Sequence, residues 1–350
     1  MPCFGLPLML ALVAAVTLAA PSSAQQATPL FASDTPLRIE VRGPITDMAR
    51  GNRDQSQSRA ATLAMAGSSE RMAIRLTPRG ITRLRKDTCD FPPLRVDFAA
   101  PPGAGSPFAG QRRIKLVTHC RSDAGFQQYL LLEYAAYRLF NLITPASFRA
   151  RLAMVDYVGD DGRAMVSRMG FFLEERDDVG RRIGLAPAKV GTSVALEQLD
   201  AASSARVSLF EYMVGNLDWS LRASPPGDAC CHNSRLFVLP TAAVASANLM
   251  PVPYDYDFSG LVDAPYAVPP DGSEVSVRKR VYRGFCRHNP ALPAAAAEFR
   301  AKRGALLAEL ALIPGLEPRT QRKAAAYLEQ FFAAIASDAQ LPRISSSCIL

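Results

Sequence analysis

Gln127 to Asn141, QQYLLLEYAAYRLFN, is apolar almost all the way around a helical wheel and contains neither Gly nor Pro. A helix without a polar face is stable only where other elements wrap it, so this segment is read as a buried helix around which the rest must be layered. Strand-like runs stand on both sides. Met72 to Leu76, Leu94 to Phe98 and Ile114 to Thr118 precede it, separated by Pro and Gly punctuation, and Phe148 to Tyr157 and Ala164 to Leu173 follow. Further on, the spacing predicts a helix over Ala205 to Val214, a short strand at Leu236 to Leu239, and helices over Ala294 to Ile313 and Arg319 to Ala336, broken by Pro314 and Gly315. Sheet, helix, sheet and then a mostly helical part is the order of a two-lobed α+β protein.

The 350 residues suffice for a substantial core, and 49% hydrophobic with 21% charged residues excludes wholesale disorder. The net charge of +8 is spread over 40 Lys and Arg without a basic run, which predicts a solvated basic surface and no nucleic-acid partner. Residues 1–24 hold no charged side chain, and Leu6 to Ala20 is apolar but short for a bilayer span. With Ser22 and Ala24 before Gln25, this reads as an export signal, with membrane anchoring through the same stretch as the alternative. No later run is long enough to cross a membrane, so the mature chain is expected to be periplasmic or secreted, without a transmembrane span. Residues 25–69 read as polar and irregular apart from Leu37 to Val41.

Six cysteines remain after the leader: Cys89, Cys120, Cys230, Cys231, Cys286 and Cys348. An even number in an exported chain suggests disulfides, and Cys89 with Cys120 is the favoured pair because each closes a strand-like segment of one region. Zinc is disfavoured, since the adjacent Cys230 and Cys231 lack the spacing with which two thiolates chelate one ion. His119, His232 and His288 form no H-E-x-x-H pattern, and no G-x-S-x-G occurs, which argues against zinc and serine hydrolases.

Four polar groups sit in apolar frames. Lys115 lies on a strand, and Glu133 lies in the buried helix with no cation on its helical face. Pairing the two satisfies both; the alternative is that Lys115 snorkels and Glu133 meets an arginine elsewhere. Asp218 follows a helix end and Asn233 precedes a strand, a combination suited to proton acceptance and metal holding, though both residues also form turns. Asp255 and Asp257 flank Tyr256 in VPYDYDFSG, where an extended backbone would put both carboxylates on one face around a cation such as magnesium.

Together these pieces resemble the CotH kinase-like family: Lys115 with Glu133, GFFLEERDDVGRR (Gly170 to Arg182), GNLDW (Gly215 to Trp219) with Asn233, and YDYD (Tyr254 to Asp257). RGITRLRKDTCDFPPL, KLVTHC, CCHN and VPYDYDFSGLVDAPYA are also similar to a group of exported bacterial proteins. The resemblance implies a two-lobed, protein-kinase-like α+β fold, with a small β-rich lobe over 70–180 and a mainly helical lobe over 181–345. It implies phosphoryl or nucleotidyl transfer from ATP or another nucleotide, with Mg2+ or Mn2+, to a protein or cell-envelope acceptor. Lys115 and Glu133 would hold phosphates, Gly80 would make a phosphate-covering turn, Asp218 would act as base or positioning acid, and Asn233, Asp257 and Asp255 would hold the metal. The alternative is a non-catalytic binding or structural protein of the envelope that keeps the same shell.

Overall fold

The computed structural model describes residues 1, 26–51, 53–244, 248–270 and 275–350. Apart from Met1, the expected leader lies outside them. Strands β1 (Leu37–Arg42), β2 (Arg59–Met65), β3 (Met72–Pro78), β4 (Leu94–Phe98), β5 (Arg113–Val117), β6 (Ala150–Val158) and β7 (Ala164–Leu173) close into a barrel in the order β1-β2-β3-β4-β5-β7-β6. Helix α1 (Ile45–Arg50) links β1 to β2. Neighbouring strands are antiparallel except at the closing seam, where β1 runs parallel to β6 from Leu37↔Ala153 to Arg42↔Val158. Alternation makes the barrel core: Leu37, Ile39 and Val41 of β1 turn inward to meet Leu76, Val96 and Leu116.

Closure overturns the expected two-lobed kinase-like plan with a small β-rich lobe and a mainly helical one. The reason lies in residues 25–69. Besides the expected strand at Leu37 to Val41, which is β1, they supply β2, and without these two the remaining strands would leave an open sheet with two edges.

Helix α2 (Gln127–Ile143) is buried as expected, packed on β6 and β7 and on α5 (Leu292–Leu312). The chain continues through α3 (Arg176–Ile183), the two-residue strand β8 (Ala186–Pro187) and α4 (Ala201–Val214). Strands β9 (Ser234–Val238) and β10 (Met250–Pro253) join β8 in a three-stranded antiparallel sheet. Helices α6 (Pro318–Ala334) and α7 (Leu341–Ser345) complete the fold.

The junction from barrel to helices is fixed electrostatically. Glu174, at the end of β7, is fully buried against Arg182 of α3, with Nη2 and Oε2 2.8 Å apart, and also accepts the Arg149 amide. The Glu of GFFLEERDD is therefore a packing joint rather than a cleft residue. The cysteines form Cys89–Cys120, the pair favoured from the sequence, together with Cys230–Cys231 and Cys286–Cys348. Among the described residues no helix is long and apolar enough to cross a membrane.

Candidate functional site

A cleft of about 1190 Å³ separates the open end of the barrel from the three-stranded sheet. Gly80, Lys115, Glu133, Asp218, Asn233, Asp255 and Asp257 all line it, although they come from widely separated parts of the chain. Gly80 follows β3 with φ of +102° and open space where a Cβ would stand, so its turn at the mouth of the cleft needs glycine's freedom.

The pairing of Lys115 with Glu133 that the resemblance implied is not made, and the alternative, an arginine elsewhere for Glu133, holds. Glu133 meets Arg83, which a short 3-10 turn (Thr82–Leu84) carries in from the loop after β3. Arg83 Nη1 lies 3.2 Å from Glu133 Oε2, its Nη2 donates to Oε1 at 3.4 Å, and its Nε lies 3.3 Å from Asp257 Oδ2. The Tyr266 hydroxyl donates to the same Asp257 oxygen at 3.1 Å. Arg83, Glu133 and Asp257 are each less than a tenth exposed. Burial works against the Arg83 charge, yet Glu133, Tyr266, Asp257 and Asp255 outweigh it and hold the guanidinium well above its ordinary range. Burial also pushes Glu133 up to about 7 despite Arg83, and raises Asp257 well above a normal carboxyl.

Lys115 stands elsewhere, its ammonium 5.5 Å from the centre of the Tyr254 ring. Arg235 of β9 lies over the same ring at 4.6 Å. Burial, and then the nearby Arg79, bring Lys115 down to about 8.

Helix α4 delivers Asp218. The helix ends at Gly215 in a left-handed conformation (φ +67°), and the next residues turn sharply into the cleft. Asn216 Oδ1 accepts the Asp218 amide at 3.0 Å, and the Trp219 indole donates to the Asn216 carbonyl at 3.0 Å, so the turn is held from both sides. His232 Nε2 donates to Asp218 Oδ1 at 2.7 Å, and Asn233 Nδ2 donates to Asp218 Oδ2 at 3.0 Å and to its carbonyl at 2.7 Å. The hydrogen bond to Asp218 raises the His232 pKa above its usual value. Fifteen residues of sequence separate Asp218 from Asn233, but the intervening loop folds back to bring them into contact.

Asp255 departs from the extended backbone expected of VPYDYDFSG, with φ of +68°, and its amide donates to the Tyr137 hydroxyl at 2.9 Å. The two carboxylates are still near enough for Asp255 to oppose ionisation of Asp257.

Of the residues expected to hold Mg2+ or Mn2+, Asp257 already has a cationic partner in the protein. Asp257 Oδ2 faces Arg83 and Tyr266, Asn233 donates its Nδ2 to Asp218, and among the described residues no group of three or more His, Cys, Asp or Glu is placed to hold a metal ion. Arg83 supplies the positive charge at these carboxylates instead.

Arg83, Arg79 and Arg235 were not singled out from the sequence, while His232 was weighed only as a zinc ligand and Tyr254 only as part of the YDYD motif. For Arg83 one signal was present, the demand of a buried Glu133 for a cation from another element. Comparison with models of known protein families and with curated proteins finds no match, so the functional reading rests on the cleft itself.

Proposed function

We propose that this chain is an exported protein that binds a nucleotide in the cleft between barrel and sheet and transfers its phosphoryl or nucleotidyl group to a protein or cell-envelope acceptor. The observation that carries this reading is the convergence on one cleft of a buried acid–arginine–acid group, Glu133–Arg83–Asp257, and an oriented Asp218. Phosphoryl transfer requires little covalent work from a protein. It requires fixed positive charge where negative charge develops and a group that orients the attacking hydroxyl. Arg79, Lys115 and Arg235 offer the charge, and Asp218, held on both oxygens, offers orientation. Export is supported by the three disulfides.

One observation favours a second reading, a non-catalytic binding protein of the envelope. Both Asp218 oxygens are already engaged by protein donors, as a purely structural aspartate's would be. Transfer of label from nucleoside triphosphates carrying it at the α or γ phosphorus, measured with and without Mg2+ or Mn2+, separates the two. Transfer predicts labelled product that falls at least about a hundredfold in Asp218→Asn while the melting temperature holds. No labelled product from the wild type leaves the binding reading, and equal labelling by wild type and Asp218→Asn removes Asp218 from the transfer step.

A further inference from the structure

We propose that Lys115 and Arg235, over the Tyr254 ring, together with Arg79 of the same cleft, form the recognition site for a polyphosphate-type anion, distinct from the Arg83 cluster. The proposal rests on the preceding reading for its role in transfer, but not for binding. Both walls of the cleft contribute. Arg79 and Lys115 belong to the barrel, at the end of β3 and in β5, while Arg235 and Tyr254 belong to β9 and the segment after β10.

What separates these three from Arg83 and Arg176 of the same cleft is that none of them is ion-paired with a carboxylate. Arg83 is paired with Glu133 and Asp257, and Arg176 with Asp177. Arg79, Lys115 and Arg235 form no ion pair with a carboxylate among the described residues. Arg235 is instead pinned by donating Nη1 to the carbonyls of Cys231 at 3.2 Å and Ser234 at 2.9 Å, which fixes its guanidinium over Tyr254. Like charges gathered in a half-buried cleft repel one another, and that arrangement is relieved when an anion enters between them.

The chemistry of the anion follows from the donors. Two guanidinium groups and an ammonium, approaching from opposite walls, match a group with several negative oxygens and more than one charge, because each arginine fork can hold two oxygens. A single carboxylate would leave net positive charge behind. The cleft is far larger than a phosphate, so the anion is one end of a larger ligand.

A proton linkage accompanies binding. Lys115 is faced by Arg79 from the end of β3, Arg235 from β9, Tyr254 and Asp255 from the segment after β10, and Glu175 from the segment after β7. Tyr254 stays neutral, because burial raises its hydroxyl. With its ammonium at about 8 in the free protein, Lys115 is largely deprotonated in more alkaline solution and must take up a proton when the anion arrives. Affinity then falls by about tenfold per pH unit above that value.

Calorimetric titration of the full chain with inorganic pyrophosphate, in two buffers of different ionisation heat at about pH 9, tests this, with sulfate as a dianion of lower charge. Expected are pyrophosphate binding tighter than sulfate binding, proton uptake, and at least about a tenfold loss of affinity in each of Arg79→Gln and Arg235→Gln. Arg79 is half-buried and among the described residues its hydrogen bond is made by the backbone amide, so Arg79→Gln is expected to fold normally, and its thermal unfolding checks that. Absence of pyrophosphate binding by wild type, or unchanged affinity in the Arg79→Gln, Arg235→Gln double variant, overturns the proposal. Pyrophosphate binding lost in the cation variants, alongside a wild type that transfers no label, sinks the transfer reading and leaves this site standing. Label transfer with unchanged KM in the same variants does the reverse.

Discussion

Removing Arg83 leaves two buried carboxyl groups, Glu133 and Asp257, without their cation. Breaking one side of a buried ion pair typically costs about 3–5 kcal/mol, so Arg83→Met is expected to lose about that much in urea unfolding. Adding Glu133→Gln to Arg83→Met should return part of the loss, because one orphaned acid is then neutral; a double variant less stable than the single would argue against the grouping. His119 gives a separate test. It is buried, stacked on Phe91 with ring centres 5.3 Å apart, and burial lowers its pKa to about 4. A depressed histidine contributes stability that is full above its unfolded value near 6.5 and is lost as the pH falls towards 4. His119→Phe should flatten the pH dependence of unfolding in that window by on the order of 3 kcal/mol. The need of Glu133 for a cation was legible in its apolar frame, whereas the identity of that cation was not. Arg83 sits 50 positions earlier, in a short turn, and its direction is set by the Gly80 corner rather than by any periodicity.

At the scale of elements, the placement of Asp218 depends on how α4 ends. Gly215 combines positive φ with a site where a Cβ would collide with the Tyr327 hydroxyl of α6. Gly215→Ala is therefore expected to cost more than about 2 kcal/mol and to weaken any ligand contact made through Asp218; a change within about 0.5 kcal/mol in thermal unfolding would contradict this. The Cys89–Cys120 bridge closes 31 residues of sequence around β4 and β5, the strand that bears Lys115. Replacing both cysteines with serine is expected to lower stability by about 3–4 kcal/mol, read from the denaturant midpoint. Most elements were visible in their patterning. Helix α2 and strands β3, β4, β5 and β7 fall where apolar alternation and punctuation put them. Strand β2, RAATLAM, escaped because its small alanines carry little alternation and only Leu63 and Ala64 of it are buried.

For the molecule as a whole, closure of the barrel was the property that could not be read locally. It depends on β1 lying parallel to β6, a pairing of Leu37 with Ala153 across most of the barrel's sequence, and no short-range signal reports such a contact. That closure holds Arg79 and Lys115 on one wall, while the sheet of β8, β9 and β10 holds Arg235 and Tyr254 on the other, so the cleft is a product of tertiary assembly. The convergence of Lys115, Glu133, Asp218, Asn233, Asp255 and Asp257 was expected from their awkward polarity, and that of Gly80 only from the family resemblance, but their partners were supplied by the fold. Hydrogen exchange of the full chain with and without pyrophosphate tests the convergence most directly. Protection is expected together in residues 79–83, 113–117, 215–221, 230–236 and 253–258, with the far side of the barrel unchanged. Protection confined to one of these segments, or appearing only outside them, would contradict a single ligand-binding cleft.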